Sequence, residues 1–360
     1  RQVLGATDAV GRVLFPDSYA LDPMVIAEKI GKILMAEGCG SEQLNGALRK
    51  IEEVKHANNA PTLASRLPYF CSGCPHSSST KIPEGSRAYS GIGCHYMVQW
   101  MDRDTLGFTQ MGGEGANWIG ESLFSTRKHV FQNIGDGTYN HSGIQAIRAA
   151  VASGTTMTYK ILFNDAVAMT GGQTNDGGLN AARIVQEMRG IGVQHLAVVY
   201  DEKEDVSAAQ FPNGTALHPR EQLISVQENF RNLQGISVIV YVQTCAAEKR
   251  RRRKRGAFPD PSERLFINPS VCEGCGDCGV QSNCVSLLPL ETPLGRKRQI
   301  DQSSCNKDFS CINGFCPSFA TVKGGQLRRP VVQDITIPDL PNPKMPAITG
   351  THNVVITGVG

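Results

Sequence analysis

Between residues 129 and 242 the sequence alternates apolar, β-rich runs with longer segments of helical periodicity, and this alternation constrains the fold more than any other feature. Strands that alternate with helices of this length indicate right-handed βαβ units and a parallel sheet, so we predict an α/β fold. The predicted strands are 129–134, 158–163, 195–200 and 236–242, and the predicted helices are 22–36, 142–152, 179–189 and 221–233.

Polar or sulfur-containing residues follow three of the predicted strands. Asp136 and Asn164 come just after the first two strands, and Cys245 comes shortly after the last. In open parallel sheets, ligands bind outside the carboxyl ends of the strands. We therefore expect these three residues to share one edge of the sheet and to belong to a binding site.

Asp136 stands between Gly135 and Gly137, whose small size lets the backbone come close to a diphosphate. Magnesium takes oxygen ligands from one or two side chains plus phosphate oxygens, and Asp136 with Asn164 would supply them. A later loop adds a hydroxyl and glycines suited to a second phosphate contact: Thr170, Gly171, Gly172 and Gln173. An isolated Gly-Asp-Gly is also typical of an ordinary turn with a helix-capping aspartate.

Eleven of the twelve cysteines fall into two groups. The first group brackets the Gly-Asp-Gly turn and consists of Cys71, Cys74, Cys94 and Cys245. The second occupies a short C-terminal stretch and consists of Cys272, Cys275, Cys278, Cys284, Cys305, Cys311 and Cys316. Disulfide-rich scaffolds are usually small domains with little core, whereas a chain of 360 residues can bury a large one. The clustered CxxC spacings therefore favour metal.

In the second group, Cys272, Cys275 and Cys278 have the spacing that binds three corners of a 4Fe-4S cluster, and Cys316 before proline is the expected remote ligand. A zinc ribbon is the alternative. A possible second cluster has three candidate ligands: Cys284, Cys305 and Cys311. One corner is then unassigned, so a 3Fe form, a non-cysteine ligand and a single-cluster domain all stay open.

The first cysteine group also fits a 4Fe-4S site. A CxxC pair alone serves redox dithiols and zinc as well, and Cys245 alone is typical of a buried structural thiol. Cys245 nevertheless follows a predicted strand and precedes a run of cations that would offset the charge of a thiolate-bound cluster. We take the four cysteines as a candidate cluster site.

The run of cations covers residues 249–255 and is followed by glycine and prolines, which predicts a basic linker at 249–264. Because no aromatic residues interleave the cations, we expect a solvated face between domains and no nucleic-acid site. Such a face would also screen an anionic cluster or dock an acidic ferredoxin. The sequence has no secretory leader and no window of about 18 apolar residues. We expect a cytoplasmic protein with no membrane partner.

Several of these elements occur in the order seen in the 2-oxoacid:ferredoxin oxidoreductases. They are residues 69–76, 90–94, 135–137, 170–173 and 244–245. The chain resembles this superfamily and, within it, the middle of the fused indolepyruvate:ferredoxin oxidoreductases. The resemblance implies a parallel-sheet thiamine diphosphate-binding domain and a small ferredoxin-like iron-sulfur domain. The expected boundaries are a connector at 1–65, the thiamine domain at 66–248, the ferredoxin-like domain at 265–325, and a linker with the start of a following domain at 326–360.

The resemblance also implies roles for individual residues. Asp136, Asn164 and the carbonyl of Ala166 would hold magnesium beside the diphosphate, and the first cysteine group would hold the cluster nearest the thiamine. Two or three 4Fe-4S clusters are expected, because the second group has seven cysteines where the family has eight. Three histidines near these motifs are candidates for proton donation or for binding the substrate carboxylate: His76, His95 and His141.

The implied reaction is oxidative decarboxylation of a 2-oxoacid, with indolepyruvate or another aryl pyruvate as the expected substrate. Electrons would pass through the clusters to ferredoxin, and coenzyme A would take the acyl group. The pyrimidine-binding domain and a C-terminal domain would belong to the same parent chain, in a homo-oligomer. The alternatives are branched-chain specificity, a thiamine carboligase or decarboxylase without an electron acceptor, and a non-catalytic iron-sulfur electron-transfer module.

Overall fold

A computed structural model describes residues 7–8, 11–15, 21–58 and 67–326, together with residues 342, 347 and 350. The predicted linker and following domain at 326–360 therefore lie almost wholly outside the described residues. The chain divides into two compact units, Arg1–Leu67 and Pro68–Gly360. We describe each unit by itself.

The described part of the first unit contains two packed helices, α1 (Pro23–Ala36) and α2 (Glu42–Asn58). Asp22 caps α1, because its Oδ1 accepts a hydrogen bond from the Met24 amide at 2.7 Å. Gly31 lets the helices approach closely, since a Cβ atom there would lie 2.8 Å from a methyl group of Leu48. Sequence periodicity predicted α1 but missed α2.

The second unit is built on a seven-stranded sheet in which every strand pairing is parallel, as predicted. Its strands are β1 (Ala88–Ser90), β2 (Thr105–Phe108), β3 (Phe131–Gly135), β4 (Met157–Phe163), β5 (His195–Tyr200), β6 (Ala216–Pro219) and β7 (Ile236–Val242). Their order across the sheet is β2-β1-β3-β4-β7-β5-β6. The four predicted strands are β3, β4, β5 and β7. The sequence missed the three short strands towards the edges of the sheet.

Helices connect the strands of the second unit, and those on the seven-stranded sheet cover both of its faces. They are α3 (His76–Ser79), α4 (Ala116–Glu121), α5 (Asp136–Thr138), α6 (Ile144–Ser153), α7 (Ala181–Gly190), α8 (Leu223–Phe230), α9 (Ala246–Lys254) and α10 (Asp277–Ser282). Short 3-10 helices lie at Cys94–Trp100, Ala168–Thr170, Asp176–Gly178, Ala208–Gln210, Arg220–Gln222 and Ser310–Ile312, and Tyr139–Gly143 forms a π-helical turn. Among the residues that the structure describes, no helix is long and apolar enough to cross a membrane.

The core lies on the two faces of the sheet, and every residue of β4 and β7 is buried. Ile147 of α6 and Ile184 of α7 pack on one face, and Leu223 of α8 packs on the other. One buried cation interrupts this apolar pattern. The Nζ of Lys160 donates to the carbonyl of Ser79 at 2.8 Å, and burial lowers its pKa to about 7. Lys160 thereby ties the segment after Cys74 to the central strand.

The central strands end level with one another, which gathers the predicted site residues at one edge. Gly135 pairs with Leu162, and Phe163 pairs with Val242. The Cys245 amide also donates to the carbonyl of Asn164 at 2.9 Å. The residues that follow β3, β4 and β7 are therefore neighbours at the carboxyl edge of the sheet.

Residues 263–323 form a cysteine-rich insert made of two antiparallel strand pairs. Its strands are β8 (Glu263–Ile267), β9 (Leu287–Thr292), β10 (Gly295–Ile300) and β11 (Phe319–Lys323). The first strand pairs with the last, and β9 pairs with β10. Helix α10 connects β8 to β9, and the short helix at Ser310–Ile312 lies between β10 and β11. The ferredoxin-like identity of this insert stays a prediction.

The expectation of an exposed basic linker is wrong for part of the cationic run. Most of the run forms helix α9, and Lys249 is only 4% exposed. Its Nζ lies 3.2 Å from Glu204 and 3.6 Å from Asp201. Arg253 is also largely buried and donates to the carbonyl of Asn306 at 2.8 Å. Partners distant in sequence bind these cations, which a reading of the run by itself could not reveal.

Candidate functional site

A cavity of ≈ 600 Å³ opens at the carboxyl edge of the sheet. Predicted site residues on its wall are His76, Cys94, His95, Gly135, Asp136, Gly137, His141, Asn164, Ala166, Thr170 and Gln173. A larger cavity of ≈ 860 Å³, lined in part by Asp165, Glu204 and Phe258, contains none of the predicted site residues. We therefore take the smaller cavity as the candidate site.

Asp136 is the buried carboxylate of this cavity, and four N–H groups hold it in place. Its Oδ1 accepts from the Gly137 amide at 2.9 Å. Its Oδ2 accepts from the amides of Asn164 and Asp165 at 3.1 and 2.9 Å and from Asn175 Nδ2 at 3.0 Å. Burial nevertheless raises the pKa of Asp136 to about 6. A buried carboxylate whose charge has no cation beside it fits a site for a metal ion, and Oδ1 keeps a lone pair for one.

Two residues that sequence reasoning missed shape this carboxylate site. Asp165 adopts a positive φ of 55°, and its amide donates to Asp136 beside that of Asn164. The side chain of Asn175 donates to Asp136, while its own Oδ1 is buried without a hydrogen-bond partner. The asparagine gave no sequence signal, because it follows the recognised loop without a motif of its own.

The other predicted diphosphate residues divide between the cavity wall and the side of helix α9. Asn164 Oδ1 accepts from the Ala166 amide at 3.2 Å, and Thr170 Oγ1 donates to Gln173 Oε1 at 2.8 Å. Gly172 lies instead against α9, where a Cβ atom would collide with Glu248 and Arg251. Its neighbour Gly171 is also off the wall, and its carbonyl accepts from Arg251 Nη1 at 2.9 Å. The oxygen donors on the wall fit magnesium and a diphosphate, whose binding stays a prediction.

The candidate histidines occupy different environments. His76 and His95 are 2% exposed and stack edge to face, with ring centroids 5.5 Å apart. Burial lowers the pKa of His76 to about 4, and it lowers the pKa of His95 still further with help from His76 and Lys160. His95 Nε2 has no hydrogen-bond partner. His141 is exposed and contacts Ser142 Oγ at 2.9 Å. The buried pair is therefore neutral at pH 7.

The loop that carries Cys94 packs directly on the Gly-Asp-Gly element. Thr138 Oγ1 donates to the Ile92 carbonyl at 3.2 Å, and a Cβ atom at Gly135 would lie 3.2 Å from the His95 ring. Glu114, which is fully buried, accepts from the Gly112 amide at 2.7 Å and from the Ile92 amide at 3.4 Å. Burial raises the pKa of Glu114. This glutamate, which sequence reasoning also missed, links two glycine-rich loops beside the cavity.

The structure brings the four cysteines of the first group together. Burial raises the pKa of the Cys74 thiol well above its ordinary value, and the nearby thiols of Cys71, Cys245 and Cys94 raise it further. Burial raises the pKa of Cys94 to about 11, again with contributions from Cys245 and Cys71. Because Cys94 also lines the cavity, this thiol set adjoins the candidate diphosphate site.

Burial and neighbouring thiols raise the pKa values of two cysteines of the second group. Cys316 and Cys272 add to the effect of burial on the pKa of Cys278. Burial raises the pKa of Cys311 to about 12, with contributions from Cys305, Cys284 and Cys278. Cys275 is exposed, and the division of these cysteines into two sets stays a prediction. Ligation of a cluster by either set stays a prediction.

All twelve cysteines are free thiols. Within the described residues, no group of three or more His, Cys, Asp and Glu side chains is arranged to hold a metal ion. This finding applies equally to the zinc ribbon and to the cluster sites, so metal binding by these thiols stays a prediction. The raised thiol pKa values mean that binding of any cluster must release protons, since the ligand is the thiolate.

Two family models match the chain. Residues 1–58 match the indolepyruvate oxidoreductase domain. Residues 91–210 match the C-terminal TPP binding domain of thiamine pyrophosphate enzymes. The second match includes Asp136, Asn164 and most of the wall of the cavity.

Curated relatives extend this similarity over most of the chain. Indolepyruvate oxidoreductase subunit IorA of Pyrococcus abyssi is 24% identical over 351 residues, which covers 88% of this chain and 49% of the relative. The subunit IorA of Archaeoglobus fulgidus is 27% identical over 286 residues, which covers 75% and 41%. The chain thus spans about half the length of the curated relatives it matches.

A solved 2-oxoglutarate:ferredoxin oxidoreductase from Magnetococcus marinus matches 51% of this chain and 66% of its own at 19% identity. The TM-score of this match is 0.38. A match of that quality carries no argument about the site. The sequence similarities confirm the predicted family resemblance.

Proposed function

We propose that this chain, which belongs to the 2-oxoacid:ferredoxin oxidoreductase superfamily and is a relative of the indolepyruvate oxidoreductase subunits, supplies the diphosphate-binding half of a thiamine-dependent oxidoreductase. One observation carries the proposal. The buried carboxylate of Asp136, held by four N–H groups, faces a cavity that Cys94 also lines. A cation and diphosphate site therefore adjoins a set of four thiols.

Thiamine diphosphate, when bound, supplies the electron sink that allows a 2-oxoacid to lose carbon dioxide. Asp136 and Asn164 would hold magnesium, with the carbonyl of Ala166 as a backbone ligand. Thr170 and Gln173, which line the cavity, would contact the diphosphate. The neutral His76 and His95 close the wall beside Cys94, where they exclude water without adding positive charge.

The substrate we propose is indolepyruvate or another aryl pyruvate, because the relatives are named for indolepyruvate. Coenzyme A as acyl acceptor, ferredoxin as electron acceptor and a homo-oligomeric assembly are parts of the same proposal. The relatives are subunits about twice as long as this chain, which supports additional domains or chains around it. Reduced thiols are required for cluster ligation, so the cytoplasm is the proposed compartment.

An electron route out of the cavity follows from the contacts of the first cysteine loop. Ser286 Oγ donates to Ser72 Oγ at 2.7 Å. A Cβ atom on Gly73 would lie 3.1 Å from the Cβ atoms of both Asn306 and Asp308. These contacts bring the loop between Cys71 and Cys74 against the segments that carry Cys284 and Cys305. Electrons would therefore pass from the first thiol set to these cysteines before reaching Cys278 and its neighbours.

Helix α9 runs alongside both of these thiol sets. Burial raises the pKa of Cys71, and the nearby Arg250 partly opposes that rise. Burial lowers the pKa of Arg253, and Cys305 is among the neighbours that partly oppose the decrease. Thiolate-bound clusters carry negative charge, which these guanidinium groups would offset. We retain screening of the clusters as the role of the cationic run, with ferredoxin docking by its exposed cations as the second proposal.

The test uses the full-length protein purified without oxygen and supplied with a panel of aryl, branched-chain and simple 2-oxoacids. Carbon dioxide, acyl-coenzyme A and reduced ferredoxin are measured for wild type and for Asp136→Ala, Cys245→Ser and the exposed control Asp102→Ala. We expect Asp136→Ala to abolish all three products and Cys245→Ser to abolish ferredoxin reduction. Full ferredoxin reduction by Cys245→Ser would contradict the proposed relay. Full activity of Asp136→Ala would contradict the assignment of the diphosphate site to this cavity, and absence of all three products in wild type would leave only an electron-transfer module.

A further inference from the structure

The cysteine-rich insert consists of two halves with closely similar spacing of chemical groups, which differs by one residue before the last cysteine of each half. Cys272 follows the end of β8 as Cys305 follows the end of β10, from 267 to 272 and from 300 to 305. At the other end, Cys284 precedes β9 as Cys316 precedes β11, from 284 to 287 and from 316 to 319. The halves also pair with each other, β8 with β11 and β9 with β10. Equivalent positions can therefore be read directly from one half to the other.

This equivalence identifies the residue that stands where a thiol is missing. The first half carries Cys272, Cys275 and Cys278, and the second half carries Cys305 and Cys311 with Asp308 midway between them. Asp308 thus occupies the position of Cys275. Since the insert has one cysteine too few for two full sets, the carboxylate stands at the single unfilled position.

Asp308 lies on the short segment between Cys305 and Cys311, three residues from each, and hydrogen bonds hold its carboxylate in place. Its Oδ1 accepts from Arg220 Nη1 at 2.5 Å and from Gln243 Nε2 at 2.9 Å. Metal-ligating carboxylates are commonly fixed by such hydrogen bonds through the oxygen that does not bind the metal.

The second carboxylate oxygen of Asp308 accepts fewer hydrogen bonds than the first. Its Oδ2 accepts only a local hydrogen bond from the hydroxyl of Ser310 among the contacts of the described residues. Rotation of that hydroxyl frees the oxygen while Arg220 and Gln243 keep the carboxylate in place. We propose that Asp308 is the fourth ligand of a 4Fe-4S cluster whose other ligands are Cys284, Cys305 and Cys311. This inference rests on the iron-sulfur part of the proposed function and deepens it.

A carboxylate at one corner makes that iron easier to remove than iron held by thiolates, because thiolates are the preferred ligands of iron-sulfur clusters. On mild oxidation, the cluster would give one electron to ferricyanide and release one Fe²⁺, leaving a 3Fe-4S cluster. Fe²⁺ with a reductant would reverse both changes. The cluster at Cys272, Cys275, Cys278 and Cys316 has four thiolates and would resist the same treatment.

The experiment compares Asp308→Ala and Asp308→Cys with wild type in the full-length protein purified without oxygen. Iron and sulfide per chain and the electron paramagnetic resonance of the 3Fe-4S state are measured before and after ferricyanide. Wild type should lose about one iron per chain on oxidation. Asp308→Ala should lack that iron from the start, and Asp308→Cys should keep it throughout.

Both variants break the ion pair with Arg220, so a merely structural role would affect them alike and would overturn the proposal. A 3Fe-4S signal of equal size in untreated wild type and Asp308→Ala would also overturn it. A Cys305→Ser and Cys311→Ser double variant identifies the cluster concerned. If its iron content equals that of wild type, no cluster binds there and the inference fails, whereas the thiamine proposal depends separately on Asp136.

Discussion

The carboxyl edge of the sheet and the cysteine-rich insert hold their candidate ligands in opposite ways. At the sheet edge, four N–H groups fix the Asp136 carboxylate before any cation arrives. In the insert, burial keeps thiols such as Cys311 protonated, and ligation requires the loss of those protons. The backbone of a parallel sheet therefore organises the first site before binding. The second site needs the bound cluster to deprotonate and position its thiols.

The largest expected effect is the response of the two regions to cluster removal. Stripping iron and sulfide from the protein with a chelator should speed amide exchange in residues 263–323 at least about 100-fold, because cluster binding contributes folding free energy there. Strands β4 and β7 should keep their protection, since all their residues are buried. Hydrogen exchange measured by mass spectrometry checks this. Equal loss of protection in both regions would break the comparison.

A buried ion network joins the two regions, and we expect Arg220→Ala to be the most destabilising single change. Arg220 is 8% exposed and contacts Asp201 at 3.2 Å and Asp308 at 2.5 Å. Its removal leaves Asp308 without its cation and takes one of three cations from Asp201, which keeps Lys203 and Lys249, at a cost of about 3–5 kcal/mol. The control Arg296→Ala removes an exposed pair with Glu291 and should cost less than about 1 kcal/mol. Denaturant unfolding measures both, and equal costs would contradict the account.

Acid should destabilise the sheet through a buried histidine. Burial lowers the pKa of His129 from 6.5 to about 4, so the folded state favours the neutral ring. The stability from this residue is present above pH 6.5 and is lost as the pH falls through 4, by about 2–3 kcal/mol. His129→Asn should flatten that part of the pH profile, and the exposed control His56→Asn should leave it unchanged. A pH profile of His129→Asn identical to that of wild type would contradict this role of His129.

A smaller effect is expected where the two regions touch. Gly73 has a φ of 63°, and an added Cβ would lie 3.1 Å from Asn306 and Asp308. Gly85 has a φ of 73° and nothing within 4 Å of the same position. Both alanine variants incur about 1–2 kcal/mol of backbone strain. Gly73→Ala should cost about 1 kcal/mol more because the insert must shift. Identical unfolding free energies would show that the contact does not constrain the insert.

The sequence predicted the sheet edge well because its signals are local. Strands β5 and β7 have their predicted bounds, and the Gly-Asp-Gly turn follows β3 as expected. Strands β1, β2 and β6 were missed because they have only three or four residues, too few for a clear alternation pattern.

Other features depend on contacts between distant residues and left no local signal. The sequence predicts that Lys249 is a surface cation, but in the fold it forms ion pairs with Glu204 and Asp201. The sequence predicts only that Asn175 is a loop residue, but in the fold its side-chain amide donates to Asp136. Asp308 is not a cysteine, so its place in the second set became visible only when the strand pairing aligned the two halves of the insert.

The most direct test of the central claim is the thiamine diphosphate content of the full-length protein with Asp136→Ala, purified without oxygen beside wild type and Asp102→Ala. We predict that Asp136→Ala loses thiamine diphosphate, with affinity reduced at least about 100-fold, while its iron and sulfide content matches wild type. Asp102→Ala should retain both. Retention of thiamine diphosphate by Asp136→Ala at the wild-type level would contradict the assignment of this cavity.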